Sequence, residues 1–327
     1  MKALLIQFKR LGDIVLTTPL IDALIKNNIK TSFLTNKMGK EILQNDPAIY
    51  KIYTIEDGFK TLLEIRREKF DVAVDFIHNF KSIIYTIFSK AKKRVAFHRK
   101  HWWKNIFYNV TPYFIDRGYT VFDRLELIKA IGVDAKGAKP RLFISEKSKN
   151  KIDDKLEKLG IKKDDFLVTM DITHRRETAR WCKQKFIQIA DWLNDSGARV
   201  VFISAPDEIE YVEEALSLSS KKHTFLKNTT ISELTALIKR ANLHIGNDSA
   251  PKHIAVALNT PSFTIFGKSD PSGWHPPDNP RHIYTTKGLS CQPCNKKSCK
   301  TLECLKTLSV EEVKEKLKPF MEKIWAH

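Results

Sequence analysis

The strongest constraint on this chain is an alternation, kept up over its whole length, between short apolar runs and longer amphipathic segments. KALLIQF is an apolar run of strand length, followed by the turn-like RLGD and a helical pattern through Ile14, Leu16, Leu20, Ile21, Leu24 and Ile25. TSFLTN, KIYTIED and DVAVDF read as further strands, with helices in GKEILQN and FKTLLEIRREKF between them and VFDRLELIKAIGV closing the first half. The second half repeats the theme. FLVTMDI, RVVFISA, HTFLK, LHIGND and SFTIFG are strands, and KQKFIQIADWLNDSG, EIEYVEEALSL, ISELTALIKRA and Pro251 to Leu258 are helices. Strands that alternate with helices connect by right-handed crossovers, which predicts α/β architecture with parallel sheets. Two such series in 327 residues predict two Rossmann-like domains facing a central cleft, since one core rarely grows past about 250–300 residues. The polar stretch from Ser145 to Asp165 puts the boundary at residue 150, giving domains 1–150 and 151–308. SVEEVKEKLKPFMEKIWAH forms a last helix, 309–327, able to pack on either domain, the N-terminal one included.

Ligands of open α/β sheets bind beyond the carboxyl ends of the strands, so the loops that follow strands are where chemistry is expected. The first reads Lys9-Arg10-Leu11-Gly12-Asp13. Gly12 permits a close backbone approach. Asp13 falls where a helix begins, either as its N-cap or as a carboxylate that takes a proton from an incoming hydroxyl, and the two roles are compatible. The second loop is Asp248-Ser249-Ala250-Pro251-Lys252-His253, in which small residues and a proline at a helix start leave N–H groups for a phosphate. Lys252 and His253 would add charge or donors; simple capping by Asp248 or Ser249 is the plainer reading. The third loop, Thr173 to Trp181, carries Arg180, suited to neutralise a departing diphosphate or to sit on an exposed basic loop. Glu208 or Asp207, after RVVFISA, can bond a ribose or merely start a helix. A G-x-G-x-x-G fingerprint is absent, which counts against a nicotinamide or flavin enzyme.

Charge narrows the partners. The net formal charge is +18, and close to half of it lies between Phe76 and Ile115, where eight lysines and arginines meet no acid. The centre of that stretch interleaves bases with Phe97, His98, Trp102, Trp103, Phe107 and Tyr108. This is either a solvated basic face or an anion-binding surface whose aromatic rings contact a sugar, a base or a membrane interface. No segment approaches the roughly 18 apolar residues of a membrane span, and MKALLIQFKR meets charge too early for a secretory signal, so a cytoplasmic protein is expected.

RLGDIVLTTP, the T-x-R-W of Thr178 to Trp181, GNDSAPKHIAVAL and FGKSDPSGWHPP, in this order across nearly the whole chain, strongly resemble glycosyltransferase family 9, the ADP-heptose:lipopolysaccharide heptosyltransferases. The resemblance implies a GT-B fold, with the acceptor on the N-terminal domain and the nucleotide sugar on the C-terminal one. It also implies inverting transfer of heptose from ADP-heptose to a Kdo or heptose of the lipopolysaccharide inner core, with no cofactor needed for catalysis. By position, Asp13 matches the general base, Thr173 and Arg180 the diphosphate loop, Glu208 the ribose contact, and Asp248, Ser249, Ala250, Pro251, Lys252 and His253 the donor motif D-[ST]-G-x-x-H. Two departures stand out: Ala250 replaces the usual glycine, and Ala179 the lysine found two residues before the tryptophan in many members. Lys9, Arg10, Gly12, Lys92, Lys93, Arg94, Arg99 and Lys100 are then expected to meet a phosphorylated, Kdo-bearing lipid. The enzyme would sit peripherally on the cytoplasmic face of the inner membrane.

Cys291, Cys294, Cys299 and Cys304 form C-x2-C-x4-C-x4-C, which suits a structural zinc as well as free or disulfide-bonded thiols or an iron–sulfur cluster. Zinc stapling the loop before the last helix is the preferred role. The rival readings are a GT-B transferase or epimerase using another nucleotide sugar and, from another class, a basic nucleic-acid-binding protein with a small zinc module. The motif set favours the transferase, for which no nucleic acid partner is expected.

Overall fold

The computed structural model describes residues 1–100 and 102–325. They form two compact units, Met1–Phe143 and a second that begins at Ile144. In the first unit, strands β1 (Lys2–Ile6), β2 (Lys30–Thr35), β3 (Ile49–Thr54), β4 (Val72–Asp75) and β5 (Lys93–Val95) pair in parallel in the order β3-β2-β1-β4-β5. Ala3, Leu4, Leu5 and Ile6 of the central strand are wholly buried, as a strand covered on both faces requires. Around it lie α1 (Leu11–Val15), α2 (Pro19–Lys26), α3 (Lys37–Leu43), α4 (Gly58–Glu68), α5 (Phe80–Phe88), α6 (Trp102–Asn105) and α7 (Thr120–Lys129). The end of this unit is held by Arg141, whose guanidinium pairs with Asp46 at 2.9 Å and also with Asp22.

In the second unit β6 (Leu167–Asp171), β7 (Arg199–Ile203), β8 (Thr224–Leu226), β9 (Leu243–Asn247), β10 (Ser262–Ile265) and β11 (His282–Thr285) give the parallel order β11-β10-β9-β6-β7-β8. This is the doubly wound order, in which the connections reverse direction between the first strand, β6, and the fourth, β9. The helices are α8 (Glu146–Lys158), α9 (Lys183–Asp195), α10 (Ile209–Leu216), α11 (Ile231–Arg240), α12 (Ala250–Ala257), α13 (Pro271–Trp274), α14 (Glu303–Lys306) and α15 (Val310–Trp325).

One segment differs from its sequence reading, and another takes one of the two positions left open to it. The polar stretch after Ser145 is mostly helix rather than linker. It buries Ile152 and Leu156, and Lys151 and Lys155 pair with Glu233 of α11 at 2.5 and 3.0 Å, so the units divide ahead of α8. The last helix, α15, lies in the second unit, where Val313, Leu317 and Phe320 join the core built around Trp181, Phe186 and Phe202. The indole of Trp181 donates to the Leu308 carbonyl at 3.2 Å just ahead of it. Residues 326 and 327 of the expected helix lie outside the described residues. No helix among the described residues is long and apolar enough to cross a membrane.

Gly246 is where β9 passes the end of β6, and a methyl group placed there would stand 2.8 Å from the carbonyl oxygen of Asp171. The nearest atom is backbone, with Asp171 Cβ at 3.1 Å and His244 Nε2 at 3.4 Å beside it, so a strand has to shift to make room. Gly246→Ala is therefore expected to destabilise the second unit by about 1–3 kcal/mol in denaturant unfolding; unchanged stability would show that the strands are not held this close.

Candidate active site

Each sheet presents one reversal point at the carboxyl ends of its strands, and the residues expected to carry chemistry fall at both. In the first unit, β1 leads into exposed Lys9 and Arg10 and then α1. Arg10, not Asp13, is the cap residue of α1, so the N-cap reading of Asp13 is corrected. Asp13 instead lies in the first helical turn, with its Oδ1 bound to the guanidinium of Arg124 at 2.7 Å. Arg124 comes from α7, is almost fully buried, and also donates to Thr17 Oγ1 at 2.7 Å and to the main-chain oxygen of Asp13. Three acceptors fix this guanidinium, and it fixes Asp13 in turn while leaving the carboxylate a quarter exposed. Arg124 was not visible as a site residue in the sequence, where it is one base on an amphipathic helix.

The neighbouring strand β4 ends in Asp75, which takes the Tyr108 hydroxyl at 2.5 Å and the main-chain N–H groups of Ile77 and His78. Past β5, Arg99 and Lys100 are exposed at this same end of the sheet. Of the other four residues of the expected acceptor set, Gly12 is buried within α1, so it offers no open backbone to an acceptor, and the three bases are not exposed at this end. Lys92 and Lys93 stand at the amino end of the sheet, Lys92 reaching Asp71 at 3.6 Å and Lys93 the Ile131 carbonyl. Arg94 is committed to the carbonyls of Phe107 and Ala91 at 2.8 and 3.2 Å. The run is contiguous in sequence, but a strand separates its two ends.

In the second unit, β6 ends in Asp171, whose carboxylate accepts from Thr173 Oγ1 at 2.8 Å, the Thr173 N–H at 3.0 Å and Ser249 Oγ at 2.6 Å. Burial pushes the Asp171 carboxyl up to about 6, against the pull of those donors. Because its hydroxyl is spent there, Ser249 makes no capping bond to α12, and the first turn of that helix, Ala250 and Pro251, is only half buried. This leaves a helix N-terminus suited to an anion. Glu208, in the turn after β7, adds to burial in opposing ionisation of Asp171, while burial holds the His174 ring below the usual imidazole range against the opposing pull of Asp248 and Glu208. Arg180 lies half exposed with its guanidinium 4.4 Å from the ring centre of Tyr211, held flat by a cation–π contact. His174 and the buried Lys268 join this group as residues the sequence reading did not single out.

Lys252 is a correction. Its ammonium is buried, 2.8 Å from Asp248 and 2.8 Å from the Trp274 carbonyl, so it faces the protein interior rather than a ligand. The helical spacing of four residues directs it back onto Asp248. His253, on the next position, packs its ring against Trp274.

The four clustered cysteines are free thiols, with Cys291 and Cys299 exposed and Cys294 and Cys304 half buried. Cys304 packs on the core, and its thiol is pushed up by burial and then by the other three thiols. Yet no group of three or more His, Cys, Asp or Glu among the described residues is placed to hold a metal ion, so the expected zinc site is not assembled.

Two predictions follow from burial. Lys252→Met takes the ammonium from the buried Asp248, leaving it only Ser269 and the His253 ring at 4.0 Å, and should cost about 3–5 kcal/mol in urea unfolding; a neutral effect would mean the amine is not part of the interior. Asp171 binds its proton more tightly folded than unfolded, so its contribution is full below about pH 4 and is lost as pH rises through about 6. Wild type should therefore lose on the order of 3 kcal/mol relative to Asp171→Asn between those limits. Parallel pH profiles of the two proteins would contradict the burial-raised titration.

With this geometry in view, the comparisons with known proteins are specific. The family model of glycosyltransferase family 9 (heptosyltransferase) matches residues 59–305. Lipopolysaccharide heptosyltransferase 3 of Escherichia coli K12 is 30% identical over 286 residues, covering 81% of this chain and 82% of that protein. Among solved structures, a glycosyl transferase family 9 protein from Veillonella parvula superimposes with a TM-score of 0.85 at 19% identity, covering 98% of this chain and 97% of that one. An E. coli ADP-heptose lps heptosyltransferase II follows at 0.82 and 18%, covering 99% of each. Likeness over the full length of both shows the GT-B fold, and the chain belongs to glycosyltransferase family 9, the heptosyltransferase family, and is a glycosyltransferase.

Proposed function

We propose that this enzyme transfers heptose from ADP-heptose to a Kdo or heptose of the lipopolysaccharide inner core, with inversion at the anomeric carbon. The observation that carries the reading is the carboxylate of Asp13, held by buried Arg124 at the carboxyl end of the first sheet's central strand. Asp13 accepts the proton of the acceptor hydroxyl as its oxygen attacks the anomeric carbon. The bond from that carbon to ADP breaks on the opposite side, and ADP departs as an anion. The guanidinium keeps the carboxylate aimed, as a general base requires.

The second unit receives the nucleotide sugar. Ser249, Ala250 and Pro251 present the open first turn of α12 to the diphosphate, Arg180 supplies the cation, Thr173 a hydroxyl and Glu208 a ribose contact, with His253 alongside. Fixed N–H groups and a held guanidinium stabilise charge on the leaving group without reorganising as it develops. Two of the proteins named above, both from E. coli, support donor and acceptor, being by name heptosyltransferases of lipopolysaccharide, one of them an ADP-heptose enzyme. Lys9, Arg10, Arg99 and Lys100 receive the acceptor's phosphates, which places the enzyme peripherally at the cytoplasmic face of the inner membrane.

The test combines a ligand measurement with a variant. ADP or ADP-heptose at about 100 times its dissociation constant should stabilise the protein by about 2.7 kcal/mol, visible as a rise in Tm. Asp13→Asn, which keeps an acceptor for Arg124, should retain that rise and lose transfer by about 10²–10⁴-fold. Full transfer by Asp13→Asn would remove the base from the mechanism, and a Tm indifferent to adenine nucleotides would remove the donor.

A further inference from the structure

We propose that the excursion between β5 and α7 is a bilayer-docking lobe, seating Trp103, Ile106, Phe114 and Ile115 in the interfacial layer of an anionic membrane. The proposal rests on the lipid-acceptor reading and adds to it the surface and the occupant. It starts from exposure. Within thirteen residues the lobe exposes Trp103 at 42%, Ile106 at 63%, Tyr113 at 73%, Phe114 at 56% and Ile115 at 52%. Single exposed apolar side chains are ordinary, but a run of this size on one loop marks a contact surface.

The lobe is built to hold these side chains out. Its two arms are tied by the Ala96 N–H to the Val110 carbonyl at 3.2 Å and by the His98 N–H to the Pro112 carbonyl at 2.9 Å. Its tip is closed by Asn105, whose side chain accepts from the Arg99 N–H and donates to the Arg99 carbonyl at 2.9 and 2.8 Å. Beneath it, the His78 ring nitrogens face the carbonyls of Phe97 at 3.1 Å and Lys104 at 3.3 Å, and Arg94 bonds the Phe107 carbonyl. The apolar side chains are therefore displayed on a braced frame, not on a loop that can fold them inward. The side chain of Trp102 lies outside the described residues.

Charge selects the occupant. Arg99, Lys100 and Lys104 stand on the lobe itself, with Lys104 Nζ 5.3 Å from the Trp103 ring centre. No acid occurs from Phe76 to Ile115; the lobe's one acid, Asp116, follows beside exposed Arg117 with its carboxylate on the Gly118 N–H, and Glu56 and Asp57 follow β3, at the far edge of the sheet from β5. Tryptophan, tyrosine and aliphatic side chains ringed by bases match the two layers of an anionic bilayer surface, apolar below and phosphate above. A nucleic acid would be stacked on ring faces, which Ile106 and Ile115 do not have. The lobe leaves the carboxyl end of the sheet, the end that carries Asp13. Docking there brings the lipid-borne acceptor to the base, whereas Lys92 and Lys93 at the amino end take no part.

The experiment is co-sedimentation of the full chain with vesicles of phosphatidylethanolamine, with and without phosphatidylglycerol. Binding should require phosphatidylglycerol and weaken with salt. Trp103→Ser/Ile106→Ser/Phe114→Ser should weaken it by about tenfold or more, while Lys92→Gln/Lys93→Gln binds as wild type. Because the three side chains are exposed, the triple variant should keep wild-type Tm, its rise with ADP and its transfer to deacylated core oligosaccharide. Wild-type vesicle binding by the triple variant overturns the proposal. So does an unchanged vesicle affinity with a raised KM for the oligosaccharide, which would make the lobe a sugar site. A wild-type dimer that the triple variant dissolves, without vesicle binding, would give the surface to a second copy and also overturn it. If wild type fails to use any oligosaccharide acceptor, the transfer reading fails, and the vesicle result still stands or falls alone.

Discussion

The contact on which the second unit's site depends is the parallel pairing of β6 with β9, two strands far apart in sequence and adjacent in the sheet. Gly246 lets them approach until a methyl group would touch the Asp171 carbonyl. Asp171 then reaches Ser249 at the head of α12 and Thr173 on its own loop. One buried carboxylate thus sets the position of both loops of a site and withholds Ser249 from capping the helix. A burial-raised acid is a costly way to join two loops. Its return is a helix terminus whose N–H groups are left for a ligand.

Each unit sets its loops with buried charged side chains. In the first, a buried cation, Arg124, positions a partly exposed anion, Asp13. In the second, buried Asp171 and the interior Asp248–Lys252 pair flank the start of α12, and half-exposed Arg180 rests on the ring of Tyr211. Removal of Arg124 or of Lys252 would take the cation from the carboxylate it holds, which ties both arrangements to the folding of their units.

Much of this was legible in the residues. Continuous apolar runs gave the central strands, the strand-to-helix loops put Asp13, Thr173, Glu208 and Ser249 beyond the carboxyl ends of strands, where they stand, and the ordered motifs gave the family. What was not legible depends on contacts across the chain. Arg124 looks like any base on an amphipathic helix until α7 is packed 111 residues away from Asp13. Lys252 looks like a phosphate contact until its stem is buried and its ammonium turned to Asp248. The basic run from Lys92 to Lys100 reads as one patch because sequence does not show that β5 carries it from one end of the sheet to the other. The short edge strands β5 and β11 and the helix α8 escaped notice because little apolar surface marks them.

The core of the second unit is closed by α15, whose Leu317 and Phe320 lie in one cluster with Trp181, and whose approach is fixed by the Trp181 indole on the Leu308 carbonyl. That helix is made after every strand it covers. During synthesis the first unit has all its strands and its Arg141 clasp once Phe143 has left the ribosome, while the second must wait, with Trp181 uncovered, until its last described element emerges. The nascent chain therefore presents a finished first unit beside an unfinished second one. Chaperone demand and proteolytic risk in the growing chain fall on the half that carries the helix terminus.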